Sequence, residues 1–157
     1  MLRPYKYRLV GDTYIFTTSS KREYSFKFLD ITETYRSINP NLQSNVYEFF
    51  FFSDKPIKRK DERISKTITL AINRLLTKTD SVVCFTCDNT DKKEDGRKRL
   101  FQLWFDGFTR KNIIKIDSSI EMEKLTLHRS IVFLKKNSDG IANIQQTFLM
   151  FGHEYFT

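Results

Sequence analysis

Glycine and proline are scarce, five and three in 157 residues. That scarcity excludes long flexible linkers and low-complexity tails. There are two cysteines and two histidines. Cys84 and Cys87 form a C-x-x-C, but both lie in "SVVCFTCD", which has the pattern of a strand. A redox pair of this spacing sits where a helix begins, and three residues along a strand place the thiols on opposite faces. One such pair is also only half of a zinc site. The expectation is two buried structural thiols and no metal. No long apolar run is present either. A run such as Phe49 to Phe52, which no other exceeds in length, is far too short to cross a bilayer. The first residues, "MLRPYKYRLVGDTYIF", lack the apolar core of a secretory signal. No membrane partner is expected, and the default location is cytoplasmic.

Aromatic residues and positive charge are plentiful. Fifteen Phe, seven Tyr and one Trp favour a sheet with a ring-filled core. The net charge is +8, which suits nucleic acid or an acidic protein as partner, provided the cations converge on one face. The length fits a single domain over residues 1–157.

Along the chain, "TYIFTTS" at 13–19 and "EYSFKFLDI" at 23–31 alternate polar with apolar, and "TSSKRE" supplies the turn of a hairpin. Residues 32–45 read as a loop around Asn39-Pro40. "VYEFFFFSD" at 46–54 reads as a central strand with its four Phe in the core. Asp61 can cap a helix carrying Ile64, Ile68, Ile72, Leu75 and Leu76 at helical spacing. "SVVCFTC" is a fourth strand. A helix from about Asp95 lines up Leu100, Phe101, Trp104, Phe105 and Phe108. "NIIKID" and "LTLHRSIVFLKK" give two more strands. Ile141, Ile144, Phe148 and Phe151 mark a last helix. The order βββαβαββα predicts an α+β fold: one mostly antiparallel sheet of about six strands with helices on its faces. The first helix makes a parallel crossover.

Two segments are candidate sites. Lys58, Arg59, Lys60 and Arg63 crowd the start of the first helix, where cations are mildly unfavourable. They are candidates for binding an anion, with a solvated loop as the alternative. The second segment is the loop after "CFTCD". Asp88, Asn89 and Asp91 there, with Glu94 and Asp95, could hold a divalent ion as nucleases do. The favoured reading of that loop is structural. Asp88 and Asn89 turn the backbone, Asp91 or Asp95 caps the next helix, and Arg97 or Arg99 pairs with an Asp. His128 and His153 have no partner visible in sequence and read as structural.

The middle of the chain carries a resemblance. Cys87, Asp88, Asp91, Arg97, Arg99, Leu100, Phe101, Trp104 and Phe105, followed by Lys115-Ile116-Asp117, resemble an uncharacterised family of small bacterial proteins, a domain of unknown function. Asp61, Arg63, Ile64, Thr67 and Ile68 extend the likeness upstream, so that it covers roughly residues 10–135. It implies a shared fold and no function. The order strand, helix, strand, helix, strand, strand is also similar to the core of GNAT-type N-acetyltransferases. That likeness implies an acyl-CoA pyrophosphate at the start of the first helix, an Asn after the next strand, and a Tyr general acid on the second helix. Asn89 and the Gly-Phe of "FDGF" match. "KPIKRKDERISKT" has no glycine, and the second helix has no Tyr. The leading functional expectation is therefore a small basic binding or regulatory domain acting on nucleic acid or a protein partner. The alternative is an acyl-CoA-dependent N-acyltransferase with a divergent site, and a metal-dependent nuclease comes third. A parting of the third and fourth strands would favour the transferase.

Overall fold

The computed structural model describes residues 3–53, 61–88 and 112–156. Seven strands form one sheet: β1 Arg8–Val10, β2 Thr13–Thr17, β3 Glu23–Asp30, β4 Asn45–Ser53, β5 Ser81–Asp88, β6 Ile113–Met122 and β7 Leu125–Leu134. Among the described residues, three helices accompany them: α1 Thr32–Ile38, α2 Glu62–Lys78 and α3 Ile141–Phe156. The strand order is β1-β2-β3-β4-β5-β7-β6. All neighbours pair antiparallel except β4 and β5, which run parallel through the α2 crossover. This is the expected α+β sheet with one strand more than the sequence suggested. β1 is three exposed residues joined to β2 at Gly11-Asp12, too short for alternation to mark it. Among the described residues, no helix is long and apolar enough to cross a membrane.

Strand alternation sorts the core into two layers. Phe16, Tyr24, Phe26, Phe49, Val83, Phe85 and Val132 face α2, which answers with Ile64, Ile68, Ile72 and Leu76, spaced four apart. The rings stack across strands, Phe16 on Tyr24 and Tyr14 on Phe26, with centroids at 5.6 and 5.1 Å. Val46, Val82, Cys84, Ile131 and Phe133 face the other way, under Tyr35 and Leu42 on one side and Ile144 and Phe148 of α3 on the other.

Two expectations need correction. Residues 32–38 form a helix, not a loop. Seven residues cannot hold a helix alone. Here Asp30 Oδ1 accepts the N–H of Thr32 at 2.9 Å, and Tyr35 stacks on Phe151 at 4.3 Å. The four Phe of β4 are not all core. Alternation gives Phe49 and Phe51 to the α2 layer, while Phe50 is half-buried and Phe52 stays 47% exposed on the opposite face. β4 is central in the sheet, as expected, with Val46 buried on one face and Phe49 on the other.

Candidate functional site

The expected anion site divides. Lys58, Arg59 and Lys60 lie outside the described residues. Arg63 lies within them and is committed to structure. Its Nε donates to the Arg3 carbonyl at 2.7 Å, and its guanidinium covers the Tyr5 ring at 3.9 Å. The start of α2 is already satisfied. Asp61 Oδ1 accepts the N–H of Arg63 at 2.9 Å, and its Oδ2 accepts the Tyr5 hydroxyl at 2.6 Å. A carboxylate therefore occupies the position where a phosphate would meet the helix N–H groups. Asn89, Asp91, Arg97, Arg99 and Trp104, with the aromatic helix from Asp95, also lie outside the described residues. Asp88 ends β5, in register with Leu127. The cysteines are buried and on opposite faces, as their strand spacing required.

Where the structure does concentrate ionisable groups is the parting of β4 and β5. Their ladder runs from Asn45↔Ser81 to Glu48↔Cys84. Beyond it β4 continues to Ser53 and β5 to Asp88. Each follows its outer neighbour there: Ser53 lies against Tyr24 of β3, and Asp88 against Leu127 of β7. The ladder between these parallel strands thus stops short of their carboxyl ends, although the Phe49 and Phe85 rings one residue on still pack with centroids at 5.1 Å.

On the α3 side of the sheet, the last rung of that ladder belongs to a polar cluster. Glu48 hydrogen-bonds Thr86, its neighbour past the parting. Arg129 of β7, in register with Thr86, is only 3% exposed. Its Nη2 donates to the Tyr35 hydroxyl at 3.1 Å and its Nη1 to the Phe148 carbonyl at 3.2 Å. The guanidinium lies 4.2 Å from the Phe148 ring and 5.2 Å from both Phe151 and Phe156. Tyr35 Oη is 3.6 Å from Cys84 Sγ. Gly152 makes room for this: a Cβ there would come within 2.5 Å of Arg129 Nη1.

Burial governs how the cluster titrates. It raises the Glu48 carboxyl above the ordinary carboxylate range, opposed by the Thr86 hydrogen bond and the Arg129 charge. It raises the Tyr35 hydroxyl well above its usual value, with the Cys84 thiol adding to the shift. Cys84 is pushed up as well, by burial and then by Glu48. The tyrosine and the thiol therefore keep their protons, and the thiol is no nucleophile. Glu48 is the member whose carboxyl is moved upward by burial from the ordinary carboxylate range, and it is the group in the cluster suited to proton transfer. Arg129 has no carboxylate within ion-pair distance among the described residues.

Sequence reasoning named Cys84 only as a structural thiol and passed over Tyr35, Glu48, Thr86 and Arg129. Glu48 and Arg129 carried a signal, since each is a charge set in an otherwise apolar strand. Tyr35 carried none, because its segment shows no helical pattern. On the other face, His128 Nδ1 meets Ser119 Oγ at 2.9 Å across β6 and β7.

Comparison with known proteins adds the following. The model of a family of unknown function (DUF6169) matches residues 60–149, a span that takes in the central motif. No curated protein matches. Among solved structures, the chain is similar to a CoA-dependent acyl-homoserine lactone synthase, MesI, at 12% identity and a TM-score of 0.40 over 91% of this chain and 70% of that one.

Proposed function

This chain belongs to the DUF6169 family, to which no function is assigned, and from its own geometry we propose that it is an acyl-CoA-dependent N-acyltransferase with a divergent site. The carrying observation is the end of the β4–β5 ladder at Glu48↔Cys84, with a buried proton-holding cluster at that rung. Ligands of open sheets bind outside the carboxyl ends of parallel strands, where neighbours diverge. Ionisable groups shifted by burial and gathered at such a crevice mark a working site.

In the reaction, an acceptor amine attacks the thioester carbonyl carbon. The C–N bond forms and the C–S bond breaks. Glu48 takes the proton that the amine loses, and the CoA thiolate leaves and is protonated by solvent. Thr86 is a positioning residue for Glu48, and the Arg129 charge favours its ionised form. The helix start is filled by Asp61, so the diphosphate needs side-chain cations instead. The segment joining β4 to α2 supplies Lys58, Arg59 and Lys60.

The charge of +8 favours a second reading, non-catalytic binding of nucleic acid or an acidic protein. Calorimetric titration with acetyl-CoA, RNA and duplex DNA at two salt concentrations separates the two. The transferase reading expects saturable acetyl-CoA binding that the double variant Lys58→Glu, Lys60→Glu weakens and that RNA does not displace. Binding of RNA or DNA alone, falling steeply with salt, supports the second reading. Binding of none of the three leaves a protein partner.

A further inference from the structure

Glu48 does not end a polar patch; it begins an apolar one. Strand alternation puts Glu48, Phe50 and Phe52 on one face of β4, and the register sets Leu29, Lys27 and Ser25 of β3 beside them in turn. Leu29 is 48% exposed and Phe52 47%. The Phe50 and Phe52 rings lie nearly parallel, 9° apart with centroids at 6.3 Å, so they make a flat ribbon rather than two separate knobs. Lys27 Nζ stands 5.5 Å from the Phe50 ring. The ribbon starts at the rung where the β4–β5 ladder ends and runs toward the carboxyl end of β4. From Glu48 to Phe52 it spans about 13 Å at strand rise.

The half-buried Phe50 ring and the exposed Phe52 ring, aligned beside a half-buried carboxyl group, make a surface with a polar head and an apolar tail. Its complement is an amphiphile of matching length. We infer that this ribbon is an acyl-chain track: the substrate is a medium-chain acyl thioester, its carbonyl at Glu48 and its methylenes along Leu29, Phe50 and Phe52. The inference rests on the acyl-CoA reading above and narrows it from any acyl donor to one of about this length. A two-carbon donor would leave the ribbon bare, and such uncovered apolar area is unfavourable in water.

The test compares acetyl-CoA with decanoyl-CoA by calorimetry, on the wild type and on Phe52→Ser and Leu29→Ser. Both positions are exposed, so the variants retain the fold, and circular dichroism checks that they do. The wild type is expected to bind decanoyl-CoA roughly tenfold or more tightly than acetyl-CoA at one site per chain. Each variant is expected to reduce that ratio several-fold. Equal affinity for the two donors, or a ratio unmoved by both variants, overturns the track while leaving acyl-CoA binding intact. Failure to bind either donor overturns the acyl-CoA reading itself. Sedimentation without ligand closes the remaining route: self-association that either variant abolishes would assign the ribbon to a second copy of the chain instead.

Discussion

Burial raises the Glu48 carboxyl above the ordinary 4.5, so the native state holds its proton more tightly than the unfolded chain does. The stability that this proton confers is complete below 4.5 and is lost as pH climbs through the raised value. Glu48→Gln keeps the shape and needs no proton. Its melting midpoint should therefore gain on the wild type as pH rises from about 4 to about 8. A difference that is the same at both ends would mean that Glu48 is not held in this environment. Cys84 gives a second check. Its thiol is buried and its pKa is raised, so a water-soluble thiol reagent should label it only on unfolding. Labelling in the native protein at the rate of a free thiol would contradict the packing of Tyr35 over Cys84.

The elements explain where those residues come from. α3 can lie on the sheet over Arg129 only because position 152 has no side chain. Gly152→Ala must push the guanidinium off the Phe148 carbonyl or tilt the helix, and should cost about 1–3 kcal/mol. Denaturant midpoints measure it; an unchanged midpoint would show that Arg129 moves freely. At the other face, the segment before β1 is tied to α2. The Tyr5 N–H donates to Thr67 Oγ1 at 2.8 Å and its hydroxyl to Asp61. Tyr5→Phe, losing the hydroxyl's bonds to Asp61 and Ser19, should cost about 1–3 kcal/mol. α2 was legible in sequence because its buried Ile64, Ile68, Ile72 and Leu76 repeat every four residues and Asp61 caps it. α3 was legible for the same reason. α1 was not, because its stability comes from Tyr35 stacking on a residue more than a hundred positions away, and no local pattern reports that.

For the whole molecule, the α+β class, the parallel crossover and the central place of β4 followed from the pattern of strands and helices along the chain. The insertion of β7 between β5 and β6 did not, since a hairpin looks the same in sequence whichever strand lies inward. The candidate site was hidden for a related reason. Glu48, Thr86, Arg129 and Tyr35 come from four elements, and only the strand order and register bring them together. The residues that looked chemical in sequence, the cations before α2 and the acids after β5, are continuous runs. Arg63, the described cation of the first run, proved to hold the N-terminal segment. The most direct test is hydrogen–deuterium exchange on the full chain, with and without decanoyl-CoA. Slowed exchange is expected, concentrated in Glu48–Ser53 of β4 and Cys84–Asp88 of β5, the segments on either side of the parting. Ligand binding with protection confined to β1, β2 or β6, or with no protection at all, would contradict a site at that parting.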